Sequence, residues 1–251
     1  MPKCTILMTT FQRDGLLDWG LKSLAAQKLA EQGVDILVLN DGHPGKAEEL
    51  CRTYGARYLH TGPVEGQELN WRIPGYALNI GAKISEADFI ILTCAEMFHV
   101  DEETVLDLLH ILEANEDTLA IPQGKNDVNG HYLTRLIESG RHDLDRYQHC
   151  ANLKVHLPFF LGVKRDYFID IGGYDEDFTG QAWDDNDIVD RLQLYGCEYA
   201  QSDSRVVHLY HPRAQPGREL DMQHRWAHNK QLYDARRGVL VRNIGSNWGT
   251  L

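Results

Sequence analysis

Three acids in four positions, Asp184, Asp185 and Asp187, sit just ahead of the helical spacing Ile188, Leu192. Carboxylates suit a helix start, where free backbone N–H groups and the positive end of the dipole favour negative charge. Taken alone, such a cluster reads as a capped, solvated first turn. Other chemistry-bearing residues collect where apolar runs end. Thr9, Thr10, Phe11 and Arg13 follow the run 4–10, Asn40 and Asp41 follow the run 34–39, and Cys94-Ala95-Glu96 follows 89–92. For Asp41 before Gly42, ordinary turn chemistry competes with ligand binding. His208 and His211 stand at the polar exit of the run 203–209. In a strand they would face opposite sides, so both reach one ligand only if the strand ends between them.

These residues need a scaffold that brings strand ends together. The runs 4–10, 34–39, 56–60 and 89–92 alternate with helical spacings at 16–24, 47–54, 76–83 and 101–113. Such alternation predicts a mainly parallel sheet covered by helices, with ligands beyond the carboxyl ends of its strands. At 251 residues the chain suits one domain. Residues 123–154 lack clear periodicity; they suit an acceptor-shaping loop or a partly helical, solvent-facing stretch. Residues 213–218 read as a flexible link and 219–237 as a polar helix anchored by Leu220, Trp226 and Leu232. In the tail 238–251, residues 239–241 suit a strand, and Trp248 an exposed or docking aromatic.

Composition narrows the function. A formal charge of -12 argues against a general nucleic-acid or anionic-membrane surface, both of which reward clustered Lys and Arg. Five scattered cysteines without a C-x-x-C pair suit free thiols in a reducing compartment. The apolar runs are too short for a signal peptide or a bilayer span, so the chain reads as cytoplasmic.

The order Gly172-Gly173-Tyr174-Asp175-Glu176, then Trp183 and the acids, resembles the acceptor-side half of GT-A glycosyltransferases. The likeness is to family-2-like enzymes and β-1,4-galactosyltransferases. It implies a GT-A (Rossmann-like) α/β domain over residues 1–212, with nucleotide binding in about 1–100, the acceptor side in about 150–212, and a loop, helix and tail over 213–251. It also implies a transferase that moves a sugar from a nucleotide-diphosphate sugar, UDP-sugar favoured, to a hydroxyl on a carbohydrate or other acceptor, with inversion. Asp185 aligns with the family's general base, and Asp184 would orient the acceptor. Thr9, Phe11, Arg13, Asp41 and Asn79 would bind the nucleotide, although Asn40 replaces the first Asp of the usual pair. Trp183 would offer a flat surface to a sugar, and Gly162 would lie in the wall behind the donor sugar.

Where GT-A enzymes carry Asp-x-Asp for a divalent cation, this chain has Cys94-Ala95-Glu96. Mn²⁺ or Mg²⁺ would then rest on Glu96 and on His208, whose setting resembles the metal-site His of polypeptide GalNAc transferases. His211 and Arg72 would contact phosphate, and His99 is a further candidate ligand. For His208, plain packing is the competing reading. Asp187 would cap the helix and pair with Arg191 at i+4 on an exposed face.

A glycoside hydrolase would also use two carboxylates, Asp185 with Glu96 or Asp175, but needs no nucleotide cradle. A sugar-1-phosphate nucleotidyltransferase needs a Gly-rich basic loop, which is absent after Thr9. The non-enzymatic alternative is a degenerate GT-A domain that binds a nucleotide sugar or glycan without turnover, and the altered Asp-x-Asp is its support.

Overall fold

The computed structural model describes residues 2–63, 72–153, 159–212 and 219–251. The first half alternates as the sequence predicts: β1 (Cys4–Thr10), α1 (Asp14–Ala25), β2 (Val34–Asn40), α2 (Ala47–Tyr54), β3 (Arg57–His60), α3 (Pro74–Ile84) and β4 (Phe89–Cys94). Strands β3, β2, β1 and β4 lie side by side and parallel. Every residue of β1 is buried, because helices cover both faces of the sheet. Leu7, Leu37, Leu39 and Leu92 pack on one face beneath α3; Ile6, Met8, Val38 and Ile91 pack on the other with Leu17 and Leu21 of α1. Each such buried Leu or Ile contributes about 1.5–3 kcal/mol.

The second half departs from the parallel pattern. It runs β5 (Met97–His99), α4 (Thr104–Ala114), β6 (Thr118–Asn126), α5 (His131–Ser139), α6 (Leu144–His149), β7 (Ala151–Asn152), β8 (Phe160–Lys164), α7 (Arg165–Asp170), α8 (Asp184–Tyr195), β9 (Glu198–His208) and α9 (Glu219–Arg236). β8 inserts antiparallel between β4 and β6, and β9 runs parallel to β6 and antiparallel to β5. The sheet is therefore mixed, in the order β3-β2-β1-β4-β8-β6-β9-β5. Pro122 has no N–H for the ladder, and the β6–β9 register shifts there, between Ile121 and Gln123.

One stretch follows an alternative that the sequence left open, the partly helical one, and another departs from its expectation. Residues 123–153 are largely ordered secondary structure: Tyr132, Leu136 and Tyr147 of α5 and α6 cover Phe98, Val207 and Leu209 in a small separate core. Residues 239–241 form no strand, and Val239 and Val241 are exposed. Trp248 instead docks on its own chain, with Lys83 Nζ 4.0 Å from the ring centre. The expected link at 213–218 lies outside the described residues, as does the side chain of Leu220. Among the described residues no helix is long and apolar enough to cross a membrane, and the five cysteines are free thiols.

Candidate active site

The carboxyl ends of β1, β2 and β4 form one rim. The Asp41 N–H donates to the Thr10 carbonyl at 3.0 Å, and the Ala95 N–H donates to the Thr9 carbonyl at 2.8 Å. Thr9 Oγ1 donates to the Thr93 carbonyl at 3.3 Å, so its side chain closes the β1–β4 junction. Phe11 is half-buried beyond it. Asn40 makes a turn: its Oδ1 accepts from the Gly42 N–H at 3.0 Å, and its Nδ2 donates to the carbonyls of His43 and Pro44. Asp41 is buried, accepts from Thr61 Oγ1 at 3.0 Å and is ion-paired with Arg72. Arg72 also stacks 3.8 Å from the Tyr76 ring centre. Expected at the phosphates, Arg72 is engaged instead with the acid at the end of β2.

The rim's second acid is Glu96, in the turn between β4 and β5, where its carboxylate is ion-paired with Arg13. Arg13 is therefore drawn to the end of β4 rather than to Asp41. β9 ends at His208, and the rings of His208 and His211 lie 5.1 Å apart, so the condition for both to serve one place is met. His208 also lies against Phe159 and within 3.3 Å of Asn126 Oδ1. The Leu209 N–H donates to the Glu96 carbonyl at 2.8 Å, fixing the two histidines beside the turn. Burial pushes the Glu96 carboxyl up, but Arg13, His208, the Cys94 thiol and His211 together bring it below its usual value.

This donor set does not fit the expected Mn²⁺ or Mg²⁺. Hard divalent cations want several oxygen ligands, whereas here one carboxylate is committed to a guanidinium. The neighbouring Cys94 thiol is pushed well above its ordinary pKa, by burial first and by Glu96 second. Among the described residues no three His, Cys, Asp or Glu groups are placed to share one ion. His99 is a core residue: buried, edge-on to Phe160 at 4.6 Å, and held neutral by burial with its pKa down to about 3.

The acid cluster opens α8. Trp183, at the N-cap, and Ala182 before it both take positive φ, which aims the first turn. Asp184 is buried, and burial followed by the nearby Asp185 charge pushes its carboxyl well up. Burial also raises Asp185, to about 6, against a lowering hydrogen bond from Tyr174. Tyr174 Oη donates to Asp185 Oδ1 at 3.2 Å, and burial and the two acids keep that phenol protonated. Burial thus favours the protonated form of both acids. The more buried Asp184 keeps its proton more tightly, so Asp185, with its donor Tyr174, is the acid that ionises first.

Asp187 does not lie on an exposed face. Its carboxylate pairs with Arg191 at 2.7 Å and with Arg242 at 2.6 Å, and all three side chains are about 3 % exposed. Arg242 also reaches Asp175, as does Arg236 of α9. Arg191 donates to the carbonyls of Ile171 and Gly173 at 2.9 and 2.7 Å. The double glycine is required there: both residues have positive φ, and a side chain on Gly172 would collide with the Arg242 backbone. Arg236 and Arg242, from the region read as a loop, helix and tail over 213–251, thus lock the start of α8. Arg242 and Tyr174 are the residues that sequence reasoning missed. Only the Tyr in Gly172-Gly173-Tyr174 gave a signal.

Three further expectations change. Asn79 is fully buried and bonded to the Tyr174 backbone on both sides, as donor at 2.9 Å and acceptor at 2.8 Å, and to Glu176 at 3.0 Å. It ties α3 to the acceptor-side loop rather than meeting a nucleotide. Gly162 lies mid-strand in β8, where an added Cβ would stand 2.9 Å from Leu112 of α4, so its small size serves packing instead of the donor-sugar wall. Trp183 stacks within 5.2 Å of Tyr233 and 5.6 Å of Trp226, both on α9. The rim and the acid cluster meet through Arg72, whose backbone bridges to Thr179 on the stretch leading to Trp183.

Solved structures share this fold. S. aureus TarS matches over 93% of this chain and 39% of its own, with a TM-score of 0.64 and 13% identity. S. aureus TarS 1-349, in complex with UDP, matches at 0.60 and 15%, over 82% of this chain and 60% of its own. The mannosyltransferase PcManGT from Pyrobaculum calidifontis, in complex with GDP-Man and Mn2+, matches at 0.58 and 12%, over 85% and 58%. In sequence, a validoxylamine A glucosyltransferase of Streptomyces hygroscopicus subsp. limoneus is 23% identical over 78% of this chain. The minor teichoic acid biosynthesis protein GgaB of Bacillus subtilis is 21% identical over 67%. The chain spans 49% and 20% of the length of those two relatives. The glycosyl transferase family 2 model aligns with residues 5–172, which run from β1 through the rim to the double glycine. With that sheet, that rim and that match over most of its length, the chain belongs to glycosyl transferase family 2.

Proposed function

We propose that this chain transfers a sugar from a nucleotide-diphosphate sugar, UDP-sugar favoured, to a hydroxyl of a carbohydrate or other acceptor, with inversion. The observation that carries the reading is Asp185 at the start of α8, raised to about 6 by burial and hydrogen-bonded by Tyr174, with the more buried Asp184 beside it. The attacking hydroxyl gives its proton to Asp185 as its oxygen bonds to the anomeric carbon. The bond from that carbon to phosphate breaks with its electron pair on the nucleoside diphosphate. Asp184, still protonated, donates a hydrogen bond to the acceptor. A base of this kind contributes about 10²- to 10⁴-fold. Asp41, with Thr9 and Phe11, holds the base and ribose at the β1–β2 edge. TarS 1-349 in complex with UDP and PcManGT in complex with GDP-Man support a nucleotide donor. Free thiols suit a cytoplasmic setting.

The test is transfer or donor hydrolysis by wild type and by Asp185→Asn, followed by chromatography of the released nucleotide. The variant is expected to lose about 10²- to 10⁴-fold in kcat with donor KM nearly unchanged. The wild-type rate should climb with pH through about 6, as Asp185 ionises. An undiminished rate in Asp185→Asn would remove the proposed base. Tight nucleotide binding with no turnover by wild type on any acceptor would favour the second reading, a binding domain, which the altered Cys94-Ala95-Glu96 supports.

A further inference from the structure

The cation at the end of β4 is a side chain. Arg13 stands at the start of α1, after Gln12 in a left-handed turn, and its guanidinium covers the Glu96 carboxylate. The Glu96 side chain is 8% exposed and that of Arg13 is 30% exposed, so the carboxylate is buried while the arginine side chain stays partly open to solvent. Glu96 thus orients Arg13. His208 and His211 lie close enough to act on the same carboxylate, and they add further N–H donors on that side.

We infer that Arg13, positioned by Glu96, faces the donor diphosphate in place of a divalent cation, so that donor binding and transfer by this chain are metal-independent. The inference rests on the transferase reading above. As the bond from the anomeric carbon to phosphate breaks, the electron pair and negative charge move onto the diphosphate. The planar guanidinium, with its fork of donors, meets two phosphate oxygens at once and needs no other ligand to hold its charge. A preformed cation aimed at developing charge is worth about 10²- to 10³-fold in rate when it is a single donor group. The single carboxylate, which would hold a hard cation weakly, serves instead to fix the guanidinium.

The experiment is calorimetric titration of UDP and of uridine into the full chain, in EDTA and in millimolar Mn²⁺, for wild type, Arg13→Ala and Arg13→Lys. Wild type should bind UDP equally in both media, and its turnover should be the same in both. The electron paramagnetic resonance signal of free Mn²⁺ should be unchanged by added protein. Arg13→Ala should lose UDP affinity while keeping that for uridine, a split that a general loss of structure would not produce. Its kcat should fall about 10²- to 10³-fold. Arg13→Lys, which keeps the charge but not the fork, should fall between the two and covers the case in which Arg13→Ala does not fold. UDP binding that vanishes in EDTA and returns with Mn²⁺ would overturn metal independence and leave the transferase reading standing. UDP binding absent in both media would overturn both.

Discussion

The rim of β1, β2 and β4 and the start of α8 use the same kind of contact, an acid held by arginine, for different ends. At the rim, Arg13–Glu96 and Arg72–Asp41 join a buried carboxylate to an arginine whose side chain is 24–30% exposed. At α8, Asp187, Arg191 and Arg242 are all about 3% exposed, and Arg191 is also bonded to backbone carbonyls. A partly open arginine can meet a ligand on its solvent side while its acid stays paired. A closed one could do so only by leaving its partner, and an unpaired buried charge is expensive. Exposure of the arginine, more than the presence of an ion pair, separates the contacts that recognise from those that hold the site in place.

The largest effect expected from breaking that distinction is at Arg242. Arg242→Ala leaves Asp187 and Asp175 short of a buried partner and should destabilise the fold by about 3–5 kcal/mol, read as a lower midpoint in urea unfolding. If the loss is instead near the 0–1 kcal/mol of an exposed pair, the network is not closed and the contrast fails. The variant should impair turnover through the altered start of α8, while any folded fraction keeps its affinity for UDP.

Asp41 tests the open side of the comparison. Asp41→Asn keeps the shape, weakens the tie to Arg72 and turns one of the two acceptor oxygens proposed for the nucleotide base into an N–H donor. UDP affinity should fall about 10-fold, or 1.4 kcal/mol, with a smaller change in the unfolding midpoint than for Arg242→Ala. A large stability loss with unchanged UDP affinity would place Asp41 among the holding contacts.

How far the sequence showed this division can be followed residue by residue. Alternation of apolar runs with helical spacings placed β1, β2 and β4, because a strand buried on both faces must be apolar throughout. It could not show that β8 runs antiparallel, since a short apolar run is the same in either direction. The spacing of Asp187 and Arg191 announced their pair, but not its burial, which depends on Arg242 from the far end of the chain. Arg13 and Glu96 both stood out as polar residues after strands. Their union did not, because it follows from the lateral neighbourhood of β1 and β4, and the resemblance pointed each residue toward a different ligand. Asn79 and Gly162 matched a pattern for reasons of packing alone.

The smallest effect expected concerns the proton held by the acid pair. Asp184 has its carboxyl raised in the folded state by burial and by Asp185, so the folded chain binds a proton more tightly than the unfolded one. The sign follows from linkage: this stabilisation is complete below the unfolded carboxyl value of about 3.9 and is lost as pH rises through the raised folded value. Asp184→Asn cannot ionise, keeps an N–H donor for the acceptor, and removes the like charge beside Asp185. Its unfolding temperature should match wild type near pH 4 and exceed it at alkaline pH, by about 1 kcal/mol or roughly 2–4 °C in a chain of this size. The Asp185 midpoint in the rate profile should stay near about 6 in the same variant, because burial rather than Asp184 raises it. A variant less stable than wild type across the whole pH range would mean that Asp184 is ionised and supported where it stands. The acid pair would then belong with the closed contacts of Asp187 rather than with a site that moves a proton.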